Sequence, residues 1–258
     1  MSSSPSPLRL ETILTPMELP ALRERDLTGT CCVVFDILRA TTTFVTALAH
    51  GAEALLPVDD IPEAVAAREA EPGILLAGER EGTRITRALS GSVDFDFGNS
   101  PREFTRERVM GRRIASTTTN GTRALRACRH ARTLLAASFP NLEATARWIL
   151  GHPHPEILLV CSGTGRRAAY EDLLAAGALS DLLLRGTGED PQDDATRSVR
   201  VLFLDAADRL PEAIRRSRNG RRLASIPELA ADVALCAARD THPIVVASGS
   251  DGWLRAVK

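Results

Sequence analysis

The stretch Val33-Val34-Phe35-Asp36-Ile37-Leu38-Arg39-Ala40-Thr41-Thr42-Thr43 decides the fold: an apolar run ends in a carboxylate and passes into three threonines and an Ala- and Leu-rich segment. The same plan recurs at Ile114-Ala115-Ser116-Thr117-Thr118-Thr119-Asn120-Gly121-Thr122-Arg123. Strand, hydroxyl-rich turn and helix in that order make a βα unit, and short apolar runs alternate with helical patterns along most of the chain. The pattern predicts strands near residues 8–13, 31–36, 53–58, 74–77, 113–117, 132–137, 157–161 and 243–247. Helices are expected over 42–50, 61–70, 120–130, 141–150, 170–184, 193–208 and 226–239, from apolar residues at three- and four-residue spacing. The fold class is therefore α/β, a three-layer αβα arrangement with a largely parallel or mixed sheet, in which the two Thr-rich units read as pseudo-repeated halves. Gly186-Thr187-Gly188-Glu189-Asp190-Pro191 is the most linker-like interior stretch, so one domain over 1–258 is expected, with 187–240 as a candidate helical subdomain.

Threonine caps helices well but propagates them poorly, so three in a row at a strand-to-helix junction exceed what helix initiation requires. They make sense as donors around an anion. A helix start already offers unpaired N–H groups and the positive end of the macrodipole, and hydroxyls add to both. Thr41, Thr42 and Thr43 in the first unit, and Thr117, Thr118, Thr119, Gly121 and Thr122 in the second, are thus the candidate phosphate-binding residues, with Asn120 and Arg123 beside them.

With 258 residues the chain can bury a substantial core. A net charge of -1 argues against a general attraction to nucleic acid or to an anionic membrane. Five cysteines, Cys31, Cys32, Cys128, Cys161 and Cys236, show neither a pairing rhythm nor metal-ligand spacing, which suits a reducing cytoplasm. Ser2-Ser3-Ser4-Pro5-Ser6-Pro7 lacks the charged and apolar regions of a secretion signal, and no apolar run is long enough to span a bilayer. The expected partner is a small anionic phosphorylated substrate, in a cytoplasmic protein of a class that often forms homodimers.

Asp36 ends a strong strand, where open α/β sheets place their ligand crevice. It reads as a metal ligand or an acid-base group, or else as a helix cap. Arg39 can fork onto phosphoryl or carboxylate oxygens, or pair on the surface. Glu79 and Arg80 leave a third strand end between Gly78 and Gly82, and Asn99 and Ser100 precede a helix start at Pro101. Glu171 and Asp172 open the helix after the 157–161 strand, where the dipole alone favours acids. Asp36, Glu79, Glu171 and Asp172 together bring carboxylates from separated loops, the donor set with which proteins hold Mg²⁺ against a phosphorylated substrate.

Cys161-Ser162-Gly163-Thr164-Gly165-Arg166-Arg167 matches the cysteine-to-arginine spacing of a phosphate-binding thiolate loop, so Cys161 is a rival nucleophile. A buried strand-end cysteine is more often a small apolar residue. No P-loop, dinucleotide fingerprint or zinc spacing is present, and Leu38 stands where haloacid-dehalogenase-type phosphatases carry a second aspartate.

Read in order, Asp36-Ile37-Leu38-Arg39-Ala40-Thr41-Thr42-Thr43, Gly78-Glu79-Arg80, Gly98-Asn99-Ser100-Pro101, Thr117-Thr118-Thr119-Asn120-Gly121-Thr122-Arg123-Ala124-Leu125 and Glu171-Asp172 resemble the 2-phosphosulfolactate phosphatase family. The resemblance runs from about residue 30 to 180, with weaker echoes in 232–240 and at Pro243. It implies a Mg²⁺-dependent hydrolase that converts (2R)-phospho-3-sulfolactate to 3-sulfolactate and phosphate, a step of coenzyme M biosynthesis, on an αβα fold. That substrate carries phosphate, carboxylate and sulfonate, which Arg39, Arg80 and Arg123 with the two hydroxyl-rich helix starts could divide. Water attack on phosphorus, with Asp36, Glu79 and Glu171 or Asp172 around the metal, is the expected chemistry. The other readings are a phosphatase of another phosphorylated 2-hydroxy acid and an anion-binding module without catalysis.

Overall fold

The computed structural model describes residues 8–185 and 190–257; residues 2–7 and positions 186–189 of the linker-like stretch lie outside them. Each of the eight expected strands forms: β1 (Arg9–Ile13), β2 (Thr30–Phe35), β3 (Ala54–Pro57), β4 (Leu75–Arg80), β6 (Arg113–Thr117), β7 (Thr133–Ala137), β8 (Glu156–Cys161) and β9 (Val245–Ser248). Two more were missed in the sequence. β5 (Thr83–Arg84) is only the return arm of a hairpin after β4, and β10 (Leu254–Val257) is a short strand carrying a charge in its middle, so neither shows a readable period.

The ten strands make one mixed sheet in the order β1-β8-β2-β7-β9-β10-β3-β6-β4-β5. The four strands β1, β8, β2 and β7 run parallel, and so do β3, β6 and β4. Between these blocks the antiparallel β9–β10 hairpin reverses the direction, so one block runs against the other. β2 and β6 stand third from opposite ends of this order and β7 and β3 fourth, which is the spatial counterpart of the repeated plan in the sequence. Each Thr-rich unit crosses between blocks: β2 leads through the helix Ala40–Ala49 to β3, and β6 leads through Gly121–Ala127 to β7.

Alternation along the strands assigns the faces. Cys32 and Val34 from one block, and Leu55, Ala77 and Ile114 from the other, share a single apolar core with Ala40, Phe44, Ala124 and Leu125 of the two crossing helices. Both blocks therefore wrap the same helical layer. The reverse face of the first block, with Val33, Phe35, Leu135 and Leu159, packs on the helices Leu142–Gly151, Tyr170–Leu184 and Asp194–Ala206. The reverse face of the second, with Ala54, Leu76 and Ala115, is covered by Ile61–Ala70.

Residues beyond the linker-like stretch join the first block's core through Val199, Phe203, Leu210, Ile214, Leu223 and Val233. Two of their helices, Leu210–Arg216 and Arg218–Ala224, were not anticipated, because each buries too few side chains to show an apolar stripe. The expected 226–239 helix is shortened to Ala230–Ala237. Helix starts follow local chemistry: Asp60 accepts from the Glu63 N–H at 2.9 Å, and Asp193 from the Thr196 N–H at 2.8 Å. No helix among the described residues is long and apolar enough to cross a membrane.

Tyr170–Leu184 and Asp194–Ala206 approach closely at Gly177, where an added Cβ would stand 2.0 Å from the Val199 carbonyl oxygen. Gly177→Ala is accordingly expected to cost about 1–3 kcal/mol or more in urea unfolding. Gly29→Ala, where the new Cβ meets nothing within 4 Å, should stay within about 0.5 kcal/mol of wild type.

Candidate active site

Asp36 leaves β2 and is met by the starts of both crossing helices. The Ala40 N–H donates to Asp36 Oδ1 at 3.2 Å, and the Gly121 N–H also points at the carboxylate. Gly121 is pressed so close that a Cβ there would lie 2.7 Å from Asp36 Oδ2 and 2.6 Å from the Ala40 Cβ. Only glycine fits this meeting point. Burial pushes the Asp36 carboxyl up to about 7; the Ala40 N–H opposes the shift, and the nearby charges of Glu79 and Glu171 add to it.

Three further carboxylates arrive, Glu79 from the end of β4 and Glu171 and Asp172 from the first turn of the helix Tyr170–Leu184. Asp172 is 2 % exposed and binds two loops, accepting from the Ile37 N–H at 2.8 Å and the Gly163 N–H at 2.9 Å. Burial, then the charges of Asp36 and Glu171, hold its carboxyl well above the usual range despite those bonds. Glu79 receives the Thr119 N–H at 3.0 Å and hydroxyl at 2.9 Å on Oε1, and the Gly82 N–H at 2.7 Å on Oε2. Glu171 is 1 % exposed; its Oε1 accepts from Asn219 Nδ2 at 2.6 Å, while its Oε2 is buried without a partner.

Opposed blocks thus deliver their strand ends to one place. A cleft of about 260 Å³ is lined by Asp36, Arg39, Glu79, Asn99, Thr119 and Asn120, together with Thr164, Asn219 and Arg222. Asn120 Oδ1 accepts the Gly165 N–H at 3.1 Å, joining the β6 end to the β8 end.

The hydroxyls divide in a way the sequence does not reveal. Thr41 and Thr42 donate to the carbonyls of Asp36 and Ile37 at 3.1 and 3.0 Å, and Thr43 to that of Asn99 at 2.9 Å. Thr118 and Thr122 exchange bonds, the Thr122 N–H donating to Thr118 Oγ1 at 3.2 Å and Thr122 Oγ1 to the Thr118 carbonyl at 2.9 Å. Four of these order the turns that aim the helix starts, Thr43 ties its helix to the Asn99 loop, and of the threonines in the two runs Thr119 is the one lining the cleft. Thr117 Oγ1 accepts from Arg80 Nη2 at 3.1 Å, which turns Arg80 away from the cleft lining. Arg123 lies in an adjoining recess of about 290 Å³ with Asn120, Gly165 and Arg166.

Arg39 is 4 % exposed and pairs with Asp232 at 2.7 Å. Asp232, itself fully buried, also accepts from Ser100 Oγ and Arg102 Nε, each at 2.8 Å. Asn219, Arg222 and Asp232 are the site residues that sequence reasoning passed over as chemistry. Asn219 and Arg222 sit in a basic run on a helix with no apolar stripe, and only the weak echo at 232–240 pointed to Asp232.

Cys161 is placed differently from the nucleophile reading. It is fully buried in the first block's core, and burial, with Asp172 and Glu18 nearby, raises its thiol well above the ordinary value. Burial of that kind disfavours the thiolate that a nucleophile requires. The following loop closes on itself, Thr164 and Arg167 exchanging N–H donors at 2.8 and 3.1 Å, instead of opening its N–H groups around an anion.

A family model described as 2-phosphosulpholactate phosphatase matches residues 16–250. The chain belongs to the 2-phosphosulfolactate phosphatase family. A relative from Synechococcus sp. (strain RCC307), named a probable 2-phosphosulfolactate phosphatase, is 39 % identical over 254 residues, covering 96 % of this chain and 99 % of its own length. Relatives of the same name from Deinococcus radiodurans and Thermotoga petrophila are 40 % and 37 % identical, each covering 83 % of this chain and 85 % and 86 % of their own lengths. The 2-phosphosulfolactate phosphatase family is one of phosphoric monoester hydrolases, so the buried carboxylates stand in an enzyme.

No three His, Cys, Asp or Glu side chains among the described residues form a ready-made cation cage. Mg²⁺ does not require one, since it is commonly held by one or two carboxylates with water and substrate phosphate supplying the rest. The unpartnered Glu171 Oε2 and the repulsion among Asp36, Glu79, Glu171 and Asp172 fit such a cation.

The raised Asp36 has a consequence for metal-free protein. Its folded value of about 7 lies above the ordinary 3.8, so between about pH 4 and 7 the folded state keeps a proton that the unfolded chain has released. Stability should fall as pH rises through that window and level off above it. Melting temperatures of EDTA-treated protein should show this decline, flattened in Asp36→Asn; a rise across the window would contradict it.

Proposed function

We propose that the protein is a Mg²⁺-dependent phosphatase that hydrolyses (2R)-phospho-3-sulfolactate to 3-sulfolactate and phosphate, as in coenzyme M biosynthesis. The observation that carries this reading is the burial of four carboxylates, Asp36, Glu79, Glu171 and Asp172, each 8 % exposed or less, around two helix starts. A pocket that only bound an anion would gain nothing from them. The names of the relatives support the substrate.

Glu171, whose Oε2 has no donor, would hold the ion together with Asp36, the carboxylate it repels, while both oxygens of Glu79 and of Asp172 are taken up by N–H and hydroxyl donors. When bound, Mg²⁺ supplies charge neutralisation at the phosphoryl oxygens and lowers the pKa of water. Glu79 and Asp172 act on the backbone: Glu79 clamps the Thr119 turn to the β4 hairpin, and Asp172 holds the turn after β2 against the β8 loop. The side-chain amide of Asn120, whose Oδ1 is held by the Gly165 N–H, offers its N–H₂ on the cleft wall where negative charge develops. Arg39 and Arg222 supply positive charge in the cleft for the substrate's remaining anions, with Arg123 and Arg166 in the adjoining recess.

Phosphate release from this substrate and a panel of phosphorylated 2-hydroxy acids, with and without EDTA, tests the reading. EDTA should abolish release, and Glu171→Gln should lower kcat/KM by about 100-fold or more while the protein stays folded. Release that survives both, or none from any substrate, would overturn it. Cys161→Ser is expected to keep near-wild-type turnover, and its loss with ligand binding retained would return the thiol to the mechanism.

A further inference from the structure

A cavity larger than the cleft at Asp36 lies elsewhere on the described chain. It encloses about 600 Å³ where the loop after Gly121–Ala127 meets the β9–β10 turn, with Leu125, Leu134 and Leu254 among its apolar walls. Arg126, Arg129, His130 and Arg132 also line it. A smaller recess with Arg23 continues from it, sharing Arg126, Arg129 and His130.

The charges around this cavity are unevenly matched. Asp251, the carboxylate on its wall, is bound by Arg255 through two bonds of 2.7 and 3.0 Å. Arg126 is paired with Asp59 at 3.2 Å and Glu63 at 3.4 Å. No ion pair among the described residues uses Arg23, Arg129 or Arg132. Arg129 spends its Nε on His130 Nε2 at 3.0 Å, which leaves both of its Nη groups free. Arg129 and Arg132 thus place unpaired positive charge on one concave wall, with Arg23 in the recess beside it, and an anion is the ligand that pairs with such a wall.

We propose that this cavity is a second binding site, distinct from the catalytic cleft, for a phosphate-bearing small molecule with an apolar portion, of about the size of a nucleoside diphosphate. Its phosphates lie on Arg129 and Arg132 with Arg23 at the edge, and its apolar portion lies on the leucine walls. The volume falls in the range of about 300–1,000 Å³ that small-molecule sites occupy. The site also shares an element with the chemistry: Leu125 and Arg126 at one end of Gly121–Ala127 line the cavity, and Gly121 at the other end touches Asp36. Occupancy therefore bears on the helix whose start shapes the catalytic cleft.

Calorimetric titration with ADP, in EDTA so that no divalent cation bridges it into the catalytic cleft, tests the assignment. Wild type should bind ADP, and Arg129→Ala/Arg132→Ala should weaken binding at least tenfold while leaving phosphatase turnover in the absence of ADP unchanged. Both arginines are exposed, so the fold should tolerate their loss, and Arg129→Lys/Arg132→Lys should restore part of the affinity. Pyrophosphate should bind more weakly than ADP. Absence of ADP binding, or binding unaffected by the alanine pair, overturns the site, and pyrophosphate binding as tightly as ADP overturns the apolar contact.

Discussion

Two helices cannot begin against the same carboxylate unless one of them gives up its side chain, and that constraint organises this protein. Asp36 sits between the starts of Ala40–Ala49 and Gly121–Ala127, and the approach is possible because position 121 is glycine. The helix starts partly compensate a charge that burial would otherwise expel, through N–H donors and the positive ends of their dipoles. What they leave uncompensated is visible in the Asp36 carboxyl, pushed up to about 7 by burial and by Glu79 and Glu171. The sheet is the scaffold for this meeting. Two parallel blocks, turned against each other by the β9–β10 hairpin and wrapped on one helical layer, bring the carboxyl ends of β2, β4, β6 and β8 to one cleft. Accumulated strand twist is what lets strands of opposed direction end near one another.

A second constraint ties the late helices to that cleft. Asp232 is fully buried and compensated by Arg39 from the turn after β2 and by Ser100 and Arg102 from the turn at Pro101. Breaking one partner of such a network leaves a charge stranded in the interior, so the network acts more as a specification of position than as a source of stability. It fixes Ala230–Ala237 against the turn after β2, and Arg218–Ala224 nearby lays Asn219 on Glu171. The helical segment is therefore part of the site as well as cover for the sheet.

Much of this was legible from local pattern. Strands with apolar alternation and helices with a clear stripe were read nearly to the residue, because periodicity is set by the faces an element buries. Among the elements that escaped, β5, β10 and the helices Leu210–Arg216 and Arg218–Ala224 bury few side chains and owe their conformation to neighbours, and Leu19–Leu22, Arg87–Ser90 and Arg106–Val109 are single turns. Among site residues, strand-end position singled out Asp36 and Glu79, and an acidic helix start singled out Glu171 and Asp172. Asn219 and Arg222 had no such local mark.

The sequence by itself determined the βα grammar, the repeated Thr-rich junctions and the acidic residues at strand and helix ends, because each depends on chemistry within a few positions of the chain. Only the tertiary structure decided what those groups do. Four of the threonines bond to their own turns and Thr43 to the Asn99 loop, Arg39 is claimed by a carboxylate 193 positions away, and Cys161 is sealed in the core. A hydroxyl or a charge takes the nearest partner the fold offers, and for these residues that partner is chosen by how opposed strand blocks close around two helix starts.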